Sequence, residues 1–287
     1  MSRQGRSVRV FRSLALVVVA LVSVQCNRDR TTSPEPPVPE VVPPVEITTG
    51  PLTPPPPLGR AEMIAGLAQA ASVFAAGTTV AGTDPLVGRT FSLKLPFGCD
   101  GPAIAGEPAE GLAQWTWGQG QTSIRLSMTP GDWIASPLVA GAVVTDDGPS
   151  PDNAWEAVEG FWIARPWLAG DVCPAAGLST SIGAPPSPQT VGIVAVFPEG
   201  GSRLARRDGR AYQHTSRAEG EAPLAPPPGG FALRLEGRIV GFPDGRAGRC
   251  VAYSPDQRPT CVAAVQLDRV AFEEANSGAT LSEWRMN

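Results

Sequence analysis

Hydrophobic positions in the C-terminal half of this chain recur at every second residue, the period of a strand with one buried face. Phe231, Leu233, Leu235 and Ile239 fall on one side of the stretch from Phe231 to Phe242, with Arg234, Glu236 and Arg238 opposite. Pro243-Asp244-Gly245 then predicts a turn. Strands over Arg249–Ser254 and Thr260–Phe272 complete a three-stranded meander. Upstream, Arg89–Phe97 alternates in the same way. Leu112–Trp117 and Thr122–Met128 predict a hairpin around Gln119-Gly120, with Trp115 and Trp117 on one face and Ile124, Leu126 and Met128 on one face of the second strand. Val158–Trp167 is a further strand. Val191–Phe197, VGIVAVF, is apolar on both faces and predicts a buried central strand. Ser202–Arg207 and Arg210–Thr215 flank Asp208-Gly209, a hairpin turn signal.

One stretch departs from this period. In Gly59–Gly77, Met63, Leu67, Ala70, Ala71 and Phe74 fall at helical spacing in an Ala-rich context. Glu62 suits the positive helix start and Gly77 a C-cap. The pattern predicts an all-β domain, an antiparallel sandwich or open barrel, with one N-terminal helix. The expected organisation is a signal segment over 1–25, an anchor residue and Pro-rich linker over 26–58, a helix and connection over 59–86, and a single β domain over 87–287.

The linker, SPEPPVPEVVPPVEITTGPLTPPPPL, is dominated by residues that fix φ and lack a donor. Extended as polyproline II, some 25 residues reach on the order of 75 Å. Ahead of it, Arg3, Arg6, Arg9 and Arg12 precede an apolar run from Leu14 to Val24, and Cys26 follows. A run of about a dozen is too short to span a bilayer as a helix. A positive flank with a short apolar core is the export-signal pattern. A cysteine directly behind such a core resembles the lipobox of bacterial lipoproteins, a resemblance confined to this stretch. It implies that Cys26 becomes the lipid-modified first residue of a protein tethered to the cell envelope. Ser23, Val24 and Gln25 stand where that family favours Leu, a small residue, and Gly or Ala. An uncleaved N-terminal anchor and plain secretion therefore stay open.

Composition adds to this. A net charge of −4 over 287 residues excludes nucleic-acid binding by global charge. Thirty-two Gly and 32 Pro suit short strands joined by turns. Of five cysteines, setting Cys26 aside leaves Cys99, Cys173, Cys250 and Cys261. An even remainder in an exported protein predicts two disulfides. Cys250 and Cys261 lie symmetrically about the Pro255-Asp256 turn, which predicts that they pair, and Cys99 with Cys173 by elimination.

Candidate chemistry is sparse. His214 is the sole histidine and no G-x-S-x-G elbow accompanies it, so no catalytic residue is assigned. Neither a metal site nor a cofactor is expected. Asp146, Asp147, Asp152 and Asn153 lack EF-hand spacing and predict a solvated turn. Glu156 and Glu159, three apart on a strand, are expected on opposite faces. Arg203, Arg206, Arg207 and Arg210 form a basic patch on an acidic chain, a candidate contact for anionic lipid or acidic glycan. Trp115, Trp117, Trp162 and Trp167 are candidates for stacking on sugar rings. These features point to a non-catalytic binding or structural module of the envelope. The alternative is an envelope hydrolase acting on glycan or peptide through Asp and Glu gathered from separate strands. Oligomeric state is left open.

Overall fold

The computed structural model describes residues 54–79, 81–104, 110–143, 154–175, 187–201, 203, 205–218 and 224–286. The export stretch, most of the Pro-rich linker and the acidic stretch around Asp146–Asn153 lie outside the described residues. Thr53–Asn287 is one compact unit.

Helix α1 spans Arg60–Ala75. Glu62 turns back to accept the Gly59 backbone N–H at 3.0 Å, which satisfies a donor the helix start would leave open. Gly77 closes the other end with φ of 61°. There the Gly77 N–H donates to the Phe74 carbonyl and the Thr78 N–H to the Val73 carbonyl, the paired bonds of a Schellman ending. Met63 and Leu67 enter the core, whereas Phe74, which shares their period, is 45% exposed. The helix thus docks from Met63 to Ala71, and its last turn, with Phe74, stands clear of the core. No helix among the described residues is long and apolar enough to cross a membrane.

The strands are β1 (Thr90–Phe97), β2 (Ala113–Trp117), β3 (Ser123–Met128), β4 (Gly131–Asp132), β5 (Trp155–Trp162), β6 (Val191–Pro198), β7 (Tyr212–Arg217), β8 (Phe231–Ile239), β9 (Gly248–Val251), β10 (Thr260–Glu274) and β11 (Thr280–Arg285). Among the described residues, β2, β3 and β7 make a small antiparallel sheet, and the others make a larger one ordered β1-β8-β10-β6-β5-β4. That path ends at two separate edges, so the sheet does not close into a barrel. Residues of both sheets share one buried cluster: Trp115, Ile124 and Leu126 from the small sheet meet Leu93, Phe97 and Phe272 from the large one. This is a sandwich core. The fold is all-β with one helix, as the residue pattern predicts.

Strand β10 is the spine of the large sheet. Its first half pairs with β9 on one edge and, in parallel, with β6 on the other. Its second half pairs with β8 and β11. A register shift between Leu267 and Arg269 interrupts the β8 pairing, level with the gap between β6 and β11 on the opposite edge. The expected meander is corrected accordingly: β9 does not pair with β8, because both use the same edge of β10 in succession. Strand β6 is buried from Val191 to Phe197. A second apolar cluster explains why: Leu138, Val139, Trp155, Val194, Val196 and Phe242 fill the face that turns away from the sandwich.

Two further expectations are corrected. The third strand begins at Trp155 rather than Val158 and ends at Trp162. It ends there because the chain turns at Arg165, whose φ is 52°. The Asp208-Gly209 turn exists, but it closes a loop and not a hairpin. Strand β7 starts only at Tyr212 and pairs with β3 over its whole length.

Both predicted disulfides are present, Cys99–Cys173 and Cys250–Cys261. Cys250 and Cys261 stand directly opposite in the β9–β10 register. Two such bonds suit an oxidising, extracytoplasmic compartment.

Candidate functional site

The turn after β5 builds the first candidate site. Arg60 at the start of α1 is only 4% exposed. Its guanidinium donates to the carbonyls of Ala164 at 2.6 Å, Leu168 at 2.9 Å and Arg165 at 3.0 Å. Burial and the neighbouring Arg165 pull its pKa down to about 10, still charged at neutral pH. A cation at a helix start opposes the helix dipole, so its placement serves these carbonyls and not the helix. The turn so held carries Arg165 and Trp167. Arg165 donates from Nη2 to the Pro96 carbonyl at 2.8 Å and lies 3.2 Å from the Cys99 sulfur. A non-glycine residue at positive φ is uncommon, and such residues gather at binding sites.

Arg165 and Trp167 border a cleft of about 500 Å³ beside Cys99. Trp167 stands at its rim, 65% exposed. Three buried polar atoms around the cleft have no hydrogen-bond partner among the described residues: Arg165 Nε, Trp115 Nε1 and Gln189 Oε1. Buried polar groups are nearly always paired, so three together are a signal of a polar ligand or water. Two are donors and one an acceptor. Gly98, at φ of 70°, lets the Trp115 ring close over it, since a Cβ there would lie 2.3 Å from the ring. The chemistry on offer is an open aromatic face next to a mixed donor and acceptor set.

The four candidate tryptophans part company. Trp115 is buried, and its ring meets that of Trp117 edge-on at 5.2 Å. Trp162 is half-buried against Trp133 at 4.3 Å. Trp167 alone among the four is exposed.

The arginine group is held by the protein itself. Arg203 grips Glu156 through two bonds of 2.9 Å, which holds that carboxyl below the usual range. Arg206 pairs with Asp208 and approaches Glu156 at 3.8 Å. Arg207 donates to the carbonyls of Arg210 and Ala211 and lies over the Tyr212 ring at 4.7 Å. Arg210 donates to the carbonyls of Arg207 and Arg206. Each guanidinium therefore has partners within the loop or on β5, while Arg203, its side chain 72% exposed, still faces solvent.

Glu156 and Glu159 reach this same loop, against the expectation of opposite faces. The register shift between Trp155 and Ala157 breaks the simple alternation. Glu159 is buried, and its Oε1 accepts the backbone N–H groups of Arg207 at 2.5 Å and Asp208 at 3.0 Å. Burial raises its pKa, and the two N–H donors oppose the rise in part. It lines a second cavity, of about 540 Å³, together with Tyr212 and Gln266. Burial likewise raises the Tyr212 pKa, with the Glu159 charge adding to it.

A third hollow, of about 730 Å³, lies along α1 beside Phe74 and Cys250 and is mainly apolar. His214 is half-buried on β7, with Nε2 3.1 Å from Ser216 Oγ and a pKa lowered by burial. Among the described residues, no three His, Cys, Asp or Glu side chains gather as metal ligands. Sequence reasoning missed Arg60, Arg165 and Gln189, which come together only in the fold. The one local signal was Arg60, a cation at a helix start. Set against protein-family models, curated proteins and solved structures, the chain matches none of them.

Proposed function

We propose that this is an exported binding module, tethered to the bacterial envelope through Cys26, whose β domain takes a glycan at the Trp167 cleft. The supporting observation is the conjunction of one open tryptophan face with three buried, unpartnered polar atoms in a cleft of about 500 Å³. A sugar ring offers an apolar C–H face for stacking and hydroxyl groups that both donate and accept. Trp167 would take the face, Arg165 Nε and Trp115 Nε1 would donate to ring hydroxyls, and Gln189 Oε1 would accept. The disulfide Cys99–Cys173 and the Arg60 bonds hold these groups in place before a ligand arrives, which lowers the entropic cost of binding.

Catalysis on the glycan has less support. Glycoside hydrolysis generally takes two carboxyl groups flanking the bond. Among the described residues Glu159 is the one carboxylate on the second cavity, and it already anchors a loop.

The test is titration of the purified protein with soluble fragments of envelope polysaccharide, followed by tryptophan fluorescence. Saturable binding is expected, and Trp167→Ala weakens it by roughly tenfold, the scale of one aromatic contact. Trp162→Ala, on a ring packed against Trp133, leaves the affinity of the folded protein unchanged. Equal binding by wild type and Trp167→Ala, or no binding, rejects the cleft as a glycan site.

A further inference from the structure

The second cavity opens where the large sheet divides. Strand β6 follows β10 in parallel only from Val191 to Ala195, opposite Cys261 to Val265. Beyond that point β10 takes β11 as its neighbour on this edge, starting at Arg269. Between the two pairings, Val196, Phe197 and Pro198 on one side and Gln266 and Leu267 on the other line the cavity. Its volume, about 540 Å³, lies in the range of small-molecule sites. Trp155, Phe197, Val240 and Met286 give it apolar walls.

Glu159 and Tyr212 are its buried polar groups, 6% and 1% exposed. Both described hydrogen bonds to Glu159 reach Oε1. Among the described residues no guanidinium or ammonium nitrogen lies within ion-pair distance of this carboxylate. Arg207, the cation over the Tyr212 ring, directs its Nε and Nη2 donors to the backbone carbonyls of Arg210 and Ala211. The Tyr212 hydroxyl has no partner at all among the described residues. A buried carboxylate without a cation is costly, and a buried hydroxyl without a partner adds to the cost. A ligand that carries a positive charge and several donors relieves both.

We propose that the cavity at the sheet division binds a small primary alkylammonium compound. Its ammonium group has three donors. Glu159 Oε2 and the Tyr212 oxygen accept two of them inside the cavity, and the Gln266 amide oxygen, on an exposed residue at the lining, accepts the third. The alkyl part lies against Phe197, Val240 and Met286. This site is separate from the Trp167 cleft and does not depend on it.

Calorimetric titration of the full chain with butylammonium chloride, butan-1-ol and sodium butyrate, at one ionic strength, tests the idea. Butylammonium is expected to bind at one site, with the alcohol and the carboxylate at least about tenfold weaker, because neither supplies a cation to Glu159. Glu159→Gln keeps an oxygen to accept the Arg207 and Asp208 N–H groups, so the loop stays anchored while the charge is lost. It should weaken butylammonium by about a hundredfold. Tyr212→Phe keeps the ring beneath Arg207 and should weaken it by about tenfold. If Glu159 only anchors the loop, Glu159→Gln leaves butylammonium affinity as it was, and the proposal fails. It fails equally if wild type does not bind butylammonium at millimolar concentration, or binds butan-1-ol as tightly. Should Glu159→Gln not fold, Tyr212→Phe decides: unchanged affinity there overturns the assignment.

Discussion

At the scale of single residues, Glu159 sets the clearest expectation. Its folded pKa is raised above the ordinary 4.5, with burial as the main cause. A raised carboxyl pKa means the folded state holds the proton more tightly than the unfolded chain. The resulting stabilisation is fully present below the unfolded value and is lost as pH rises through the folded one. Glu159→Gln has no such titration. The melting temperature of Glu159→Gln relative to wild type should therefore climb as pH rises from about 4 to 7, on the linkage argument. Glu156 and Glu283, held low by arginine partners, act in the opposite direction in both proteins and cancel in the difference. A difference that stays flat across that range would mean that Glu159 ionises in the folded protein as freely as in solvent. The same residue shows where sequence reading stops. Alternation put Glu156 and Glu159 on opposite faces, and a single bulge at Trp155–Ala157 brought both to one loop. An extra residue in one strand leaves no mark in composition or in hydrophobic period.

At the scale of elements, what was legible was local. The buried run of β6, the amphipathic face of β8 and the β2–β3 pairing each follow from residues close in the chain. So does Cys250–Cys261, since a short turn fixes the register that brings them together. What was not legible was the choice of partner. The arginine-rich segment ahead of β7 has strand-like alternation and a hairpin turn, yet its donors go to Glu156, Glu159 and nearby carbonyls instead of a sheet ladder. Helix α1 shows the same limit: Met63 and Leu67 were readable as core, while the work of Arg60 was not. Arg60 ties the first turn of α1 to the carbonyls of Ala164, Arg165 and Leu168, more than 100 residues away. Arg60→Ala removes three charge-assisted bonds and leaves those carbonyls short of donors, a loss of roughly 3 kcal/mol. Amide hydrogen exchange should quicken at residues 164–168 and in the first turn of α1, ahead of the sandwich core. Glycan affinity should fall although Arg60 does not line the cleft. Uniform acceleration over β6 and β10 would show instead that Arg60 supports the whole fold and not this turn.

At the scale of the whole molecule, two disulfides and a sandwich domain fit an exported protein, and the N-terminal stretch proposes how it is held. The four cysteines beyond the linker pair with one another, so Cys26 has no partner left within the chain. In an oxidising compartment a lone free thiol is a liability, and acylation removes it. The proposed lipid attachment would account at once for the odd cysteine, the short apolar core before it and the proline-rich spacer after it. A single acyl chain holds a protein only weakly, while several hold it firmly. In a bacterial host, wild type should sediment with membranes, release into detergent, and carry a mass above that of a chain starting at Cys26 by the added lipid. Cys26→Ser should shift the protein to the soluble fraction or stall it as the longer precursor, with both disulfides still formed. A Cys26→Ser protein that sediments with membranes at full length, alongside wild type of the same length, would identify residues 1–25 as an uncleaved anchor. Wild type recovered soluble and shortened would identify plain secretion. Either result removes the lipid from the proposal and leaves the glycan cleft to be judged by Trp167 alone.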